Sequence, residues 1–417
     1  MQTASLGFAG GSPGLAAYTS IGDPCLSAST ENPETSGGSR TLPEPSGFAP
    51  GKTLADPLGE RYSRQVLFAG IGAAGQEQLG QAHAAIVGLG ATGAVTASLL
   101  ARAGVGRLTL IDRDFVEPSN LQRQVLYDED DALQSLPKAE AARRHLARIN
   151  SSVAVEAHVA DATPANVEAL LGAATLILDC TDNYETRYLI NDLCVRDGRP
   201  WIYAAAVGAY AAGMNILPRR LAGSSRDAVA PEPEPWVPTA CLACMFPEPP
   251  TGPVETCDTA GILSPAVNLA ASIQVAEALK FLTGQPEQMR RTLVGYELWT
   301  NAADGRQARS ELAAGSPRQG CEVCGQRVFR HLAGEGRPTI TLCGRNSVQI
   351  HEHQRPLDLR ALARTLEPLG QVRTNGHLLR FDRPPHTLTI FPDGRALVQG
   401  TTDIGLARSL YARFVGA

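Results

Sequence analysis

Ala84-Ala-Ile-Val-Gly88-Leu-Gly90-Ala-Thr-Gly93 is the stretch on which the fold turns. An unbroken apolar run leads into glycines, and Thr92–Ala103 then reads as a helix. A short continuous apolar run is the pattern of a strand buried on both faces of a parallel sheet. The first glycine allows a tight turn, the second lets backbone approach a phosphate, and the third permits close packing of helix on strand. The helix start then offers free N–H groups to an anion.

Outward from this turn the rhythm repeats. Arg107–Ile111 is a strand ending at Asp112, Lys138–Ile149 a helix, and Val153–Val159 a strand. Thr175–Leu178 is a further strand, followed by a helix through Arg187–Arg196 and a strand at Trp201–Ala205. This alternation predicts an α/β fold, a Rossmann-like doubly wound sheet. Ser264 reads as the cap of a later helix, with Pro265 in its first turn, Ala266–Leu282 as its body and Gly284 as its stop. Between Arg219 and Pro253 the chain is Pro-rich and reads as a long exposed crossover.

The two ends differ from this texture. Of the first 50 residues, 27 are Gly, Pro, Ser or Thr, too few apolar groups to offset the entropy of ordering, so residues 1–57 are expected to be a disordered extension. An enzyme-sized unit spans 58–329, and a small α+β domain spans 330–417. The latter reads as strand Val348–His351, helix Leu357–Leu366, three short strands with a hairpin at Pro392-Asp393-Gly394, and helix Ile404–Phe414. A formal net charge of −5, with no long apolar run and no basic head, argues against nucleic-acid binding, secretion and membrane spanning; a cytoplasmic location is expected.

The glycine turn alone would suit any adenine nucleotide, NAD first. Asp112, at the end of the second strand, can accept hydrogen bonds from ribose hydroxyls. The residues beyond Asp112 favour ATP. Ser119-Asn120-Leu-Gln-Arg123-Gln124 places a polar cluster with one cation past the acidic strand end, and Lys138 opens the next helix. Two cations suit a triphosphate and the charge that develops on departing pyrophosphate. Asp182 and Asn183 come after another strand on the same side of the sheet. A carboxylate there can hold Mg²⁺ against phosphates, or else cap the helix. Arg61 and Arg64 add cations upstream, equally compatible with a solvated helix face.

Two Cys-x-x-Cys pairs, Cys241/Cys244 and Cys321/Cys324, supply four thiolates for a tetrahedral structural Zn²⁺; a redox motif would need one pair. Cys25, Cys180, Cys194 and Cys343 have no evident role. Cys257 lies in a polar loop before a helix, where a thiol is either activated or inert. His351 and His353 alternate on a strand-like segment and read as its solvated face.

Taken in order, Arg-Tyr-Ser-Arg-Gln (61–65), the glycine turn (88–93), Ile-Asp-Arg-Asp (111–114), Ser-Asn-Leu-Gln-Arg-Gln (119–124), Pro-Lys (137–138), Asp-Cys-Thr-Asp-Asn (179–183) and the cysteine pairs resemble the ThiF/MoeB family, bacterial relatives of ubiquitin-activating enzymes. The resemblance implies adenylation by ATP of a ubiquitin-like sulfur carrier ending in Gly-Gly. It implies that Asp112 holds the ribose, that Arg123 and Lys138 neutralise phosphates, and that Asp182 positions Mg²⁺. It further implies that Arg64 reaches into the site of a second subunit, making a homodimer, and that Cys257 matches a cysteine that bonds covalently to the carrier in thiamin-pathway members. The 258–265 stretch leans toward a ThiS-like carrier for the thiazole of thiamin, with a MoaD-like carrier for molybdopterin as the alternative. A non-catalytic nucleotide-binding scaffold for sulfur transfer is the contrasting reading. Residues 330–417 do not resemble the rhodanese-like domain of some relatives, so sulfur is expected from a separate donor such as a cysteine desulfurase.

Overall fold

Among the described residues, eight strands build the main sheet: β1 (His83–Val87), β2 (Arg107–Asp112), β3 (Ala154–Val159), β4 (Leu176–Asp179), β5 (Trp201–Val207), β6 (Tyr210–Ile216), β7 (Thr292–Glu297) and β8 (Arg309–Ala313). Their order is β3-β2-β1-β4-β5-β6-β7-β8. The first five run parallel and the last three join antiparallel. The computed structural model describes residues 60–220, 236–249, 260–300, 309–335, 340–342, 346–350 and 356–416. The expected disordered extension, together with Cys25, Cys257, Cys343, His351 and His353, lies outside the described residues.

The unbroken apolar runs are explained by two-sided burial. Ile86, Leu108, Leu110, Leu176 and Leu178 face one core, shared with Leu100 and Val275 of the helices Ala91–Ala103 and Ser264–Leu282. Ala85, Val87, Ile111 and Ile177 face the other, shared with Tyr188, Leu189 and Leu193 of the helix Tyr184–Asp197. Each fully buried aliphatic side chain contributes about 1.5–3 kcal/mol, so this two-faced core is what keeps the glycine turn in register.

Two expectations are corrected. Ser264 does not cap its helix: Leu263 occupies the cap position without a side-chain bond, and Ser264 is the first helical residue. Leu263 N–H donates to Gly208 O at 2.8 Å, which holds it extended at the cap position, so the helix starts at Ser264, one residue earlier than expected. The Pro-rich crossover is not uniformly exposed either. Thr239 to Cys244 are buried, because Thr239 and Ala240 bond to Leu217 O and Ala314 O and seat this segment on the sheet.

A second sheet comes next, with β9 (Ile340–Leu342), β10 (Ser347–Ile350), β11 (Gln371–Thr374), β12 (Leu379–Arg383), β13 (His386–Ile390) and β14 (Ala396–Gln399) in the antiparallel order β11-β12-β13-β14-β10-β9. It holds four strands after the helix Leu359–Leu366, where three were expected, and the turn at Asp393-Gly394 joins β13 to β14 as its composition demands. Helices Leu359–Leu366 and Ile404–Phe414 cover one face, around Phe381, Leu388, Val398 and Tyr411. Both sheets belong to one compact unit, Thr53–Ala417. Among the described residues no helix is long and apolar enough to cross a membrane.

Candidate active site

Val87 at the end of β1 registers with Ile111 of β2 on one side and Asp179 of β4 on the other. The carboxyl ends of three strands therefore meet where the strand order reverses, the crevice in which open α/β sheets bind ligands. A cavity of about 680 Å³ opens there, a volume suited to one small ligand. Gly88, Gly90, Asp112, Asn120, Arg123, Lys138, Asp182 and Asn183 all line it.

The glycines divide the work as their positions demand. Gly88 has φ +86°, and a Cβ there would meet Cys180 O at 2.8 Å. A Cβ on Gly93 would lie 1.9 Å from Gly88 O, so this residue packs the helix beneath the turn and stays out of the cavity. A Cβ on Gly90 would meet, among the described residues, nothing nearer than Gln124 Nε2 at 3.9 Å, so this side of its backbone faces the cavity without crowding. Tyr127 pins the loop by donating its hydroxyl to Leu89 O at 2.8 Å.

Asp112 is buried, and its carboxylate accepts N–H groups from Leu89 at 2.5 Å and Asp114 at 2.7 Å. Burial pushes its carboxyl up, while Lys138 pulls the other way. Lys138 is likewise buried, with Nζ 3.2 Å from Asp114 Oδ2. Burial alone would lower its pKa, but Asp114 and Asp112 outweigh this and hold the ammonium charged. The strand end thus carries a fixed cation between two acids. Arg123 is steered by donating from Nη1 to Ser119 O at 2.8 Å, and Asn120 Oδ1 accepts the Glu117 N–H at 3.0 Å, folding the polar cluster into a short helical turn.

Opposite stands the loop after β4. Asn183, not Asp182, is the helix cap: its side chain accepts the Thr186 N–H at 2.8 Å. Asp182 is left exposed at the cavity rim. Beneath it, buried Asp179 faces Arg187 Nε at 3.3 Å, and the guanidinium lies 4.9 Å from the Tyr203 ring centroid. One carboxylate beside bound phosphates is the donor set Mg²⁺ ordinarily takes, so Asp182 fits that ion.

Arg64 is not brought into this cavity; it is exposed on the short helix Ser63–Val66. Sequence reasoning missed Asp114, Gln124 and Arg187 as cavity residues, although all three lie in or beside the motifs at 111–114, 119–124 and 179–183. It also missed a wall supplied by the second sheet, including Gln349 and Arg395, for which no motif existed.

The two cysteine pairs do meet. Sγ of Cys241 lies 3.7 Å from those of Cys244 and Cys321, and Sγ of Cys244 lies 3.4 Å from that of Cys324. A tetrahedron with Zn–S of about 2.3 Å has sulfur–sulfur edges of about 3.8 Å, so the spacing fits Zn²⁺. The Arg318 N–H donates to Cys244 Sγ at 3.2 Å, as backbone does toward a thiolate ligand. None of the four cysteines lines the cavity, which gives the cluster a structural place.

The ThiF family profile matches residues 62–355. The sulfur carrier protein ThiS adenylyltransferase of Bacillus subtilis (strain 168) is 43% identical over 360 residues, covering 85% of this chain and 99% of that protein. The molybdopterin-synthase adenylyltransferase of Escherichia coli (strain K12) is 36% identical over 273 residues, covering 66% and 99%. Among solved structures, E. coli MccB with MccA-N7isoASN aligns at TM-score 0.52 and 23% identity over 64% of this chain and 75% of that one, a likeness of fold.

Proposed function

The chain belongs to the ThiF family, and from that premise we propose that it adenylates the C-terminal Gly-Gly carboxylate of a ubiquitin-like sulfur carrier of the ThiS type, releasing pyrophosphate. The observation that carries this reading is convergence. Asp112, Arg123, Lys138 and Asp182 come from four separate stretches of sequence and share one cavity at the end of β1.

ATP lies with its ribose on Asp112 and its phosphates over the glycine turn, toward the N–H groups of the helix Ala91–Ala103. A carboxylate oxygen of the carrier attacks the α-phosphorus, the bond to the β-phosphate oxygen breaks, and pyrophosphate leaves. Lys138 and Arg123 stabilise the negative charge that grows on the leaving group, and Lys138 does so from a buried, prepaired position that needs no reorganisation. A Mg²⁺ held by Asp182 would screen the phosphates when bound. Zn²⁺ held by Cys241, Cys244, Cys321 and Cys324 would tie the crossover to the segment after β8, away from the cavity in which the chemistry occurs.

The exposure of Arg64, outside the cavity of its own chain, supports its reaching a second subunit in a homodimer. Cys257 is the thiol that bonds covalently to the carrier, displacing AMP from its adenylated carboxylate; sulfur comes from a separate donor such as a cysteine desulfurase, and the enzyme is cytoplasmic. A MoaD-like carrier is the alternative substrate, favoured by the likeness to the molybdopterin-pathway relative.

ATP–pyrophosphate exchange, run with a ThiS-like and a MoaD-like carrier in turn, tests the reading. Exchange that depends on the ThiS-like carrier and is lost when its terminal Gly-Gly is removed is the expected result. Exchange with the MoaD-like carrier alone would move the pathway; exchange with neither would overturn the enzyme and favour the scaffold.

A further inference from the structure

The adenylation reading leaves the second sheet without a task, yet β10 and β14 form one wall of the same cavity through Ser347, Gln349, Leu397 and Gln399. This wall is fixed in place. Phe391 and Leu378 pack with Phe115, the residue directly after the Asp112–Asp114 acids, and Asn375 Nδ2 donates to Ser135 O at 2.9 Å.

Arg395 stands at the edge of this wall. It is 5% exposed, its Nε donates to Asp393 Oδ2 at 2.6 Å, and its guanidinium sits 4.5 Å from the Phe391 ring centroid. One nitrogen and one face of the group are thus held rigidly. Nη1 and Nη2 are buried and have no hydrogen-bond partner among the described residues, although the residue lines the cavity. Two unpaired donors on a buried cation are costly to maintain. A planar fork with both terminal nitrogens unpaired matches two oxygens of a phosphate, and Arg binds such pairs bidentately where Lys cannot. Its charge is also felt across the cavity: burial would raise the Asp114 carboxyl, but Lys138, Arg113 and Arg395 together hold it low.

We propose that Arg395 is a further nucleotide-binding residue, a phosphate-directed guanidinium by which the second sheet completes the ATP cavity. The assignment rests on the reading of this cavity as an ATP site, and it gives the C-terminal sheet a part in holding substrate. Because the fork replaces no group at the strand ends, it adds to the hold of Lys138 and Arg123 on the phosphates and leaves the adenosine contacts alone.

Calorimetric titration of ATP and of adenosine into the full-length wild-type, Arg395→Ala, Arg395→Gln and Arg395→Lys proteins tests this. ATP affinity falls at least about tenfold in Arg395→Ala and Arg395→Gln, as loss of a charge-assisted pair requires, and less in Arg395→Lys, while adenosine affinity stays unchanged. Arg395→Gln keeps the stem over Phe391 and serves if the alanine variant fails to fold. ATP affinity within about twofold of wild type, or equal losses for ATP and adenosine, would overturn the assignment. Wild-type protein that binds ATP but shows no carrier-dependent exchange would refute the proposed function and leave Arg395 standing. Wild-type protein that binds no ATP would refute both.

Discussion

Replacing Cys244 by Ala removes one sulfur from the four-cysteine cluster. Cys241 and Cys321 are 80 residues apart in sequence and 3.7 Å apart at sulfur, so a bound metal closes a long loop. Treated as a cross-link, closure of a loop of that length stabilises the folded chain by about 4–5 kcal/mol through the entropy it removes from the unfolded state. For a unit of the size of Thr53–Ala417 the unfolding entropy is about 0.8 kcal/mol/K, which converts the loss to a fall in Tm of about 6 °C. The assay combines metal analysis, thermal melting and ATP titration on wild-type and Cys244→Ala protein. Wild type should carry about one zinc per chain and the variant almost none, since a three-sulfur site binds Zn²⁺ far less tightly. A chelator should bring the wild-type melting curve to that of the variant and leave the variant unmoved. ATP affinity should hold within about twofold, because no cluster cysteine touches the cavity. Full zinc in the variant, or an unchanged Tm with zinc lost, would refute the ligand set or the cross-link argument respectively.

Single side chains offer further tests. Lys138→Met keeps the stem and removes the charge between Asp112 and Asp114; pyrophosphate exchange should fall by about 10²–10³-fold, and a loss smaller than about threefold would exclude Lys138 from charge stabilisation. Asp192 is buried in the helix Tyr184–Asp197 and accepts N–H groups from His331 and Leu332. Burial pushes its carboxyl from 3.8 up to about 6. A raised carboxyl stabilises the fold fully below its unfolded value and loses that contribution as pH rises through the folded one. Asp192→Asn should therefore gain stability relative to wild type between about pH 4 and 6, by at most about 3 kcal/mol. Urea melts at several pH values would detect it, and a pH-independent difference would dismiss it. Mixing Arg64→Ala with Asp182→Ala subunits should restore part of the activity that each lacks alone; confirmed heterodimers that stay inactive would remove Arg64 from the neighbouring site.

Much of the site was legible because its rules are local. Gly88 is required by a positive φ, and Gly93 by a carbonyl that leaves no room for a Cβ; both needs belong to the few residues of the turn itself. Two-sided burial wrote itself into β1 and β4 as nearly unbroken apolar runs, and β2 adds a single buried Thr109 between its leucines. The helix Lys138–Ile149 and the last helix, Ile404–Phe414, have the bounds their periodicity implied. Ser264 misled because its neighbour Leu263 is tied to Gly208, a partner far away in sequence. The small domain misled more, since its short strands are paired by one another and carry no chemical motif.

The sequence by itself determined the doubly wound sheet, the glycine turn, the acidic strand end, the cations Arg123 and Lys138, and the two thiol pairs, because each depends on backbone conformation or residue chemistry within a few positions. Only the tertiary structure decided that the thiol pairs meet at metal-binding distance, that Asp114 shares Lys138, and that β10 and β14 bring Arg395 to the cavity wall. These depend on contacts between segments far apart in the chain. The thiol cluster and the Asp114–Lys138 pair take their energy from desolvated charge and packed apolar surface within the main-sheet unit, and the place of Arg395 further requires the second sheet to pack against it.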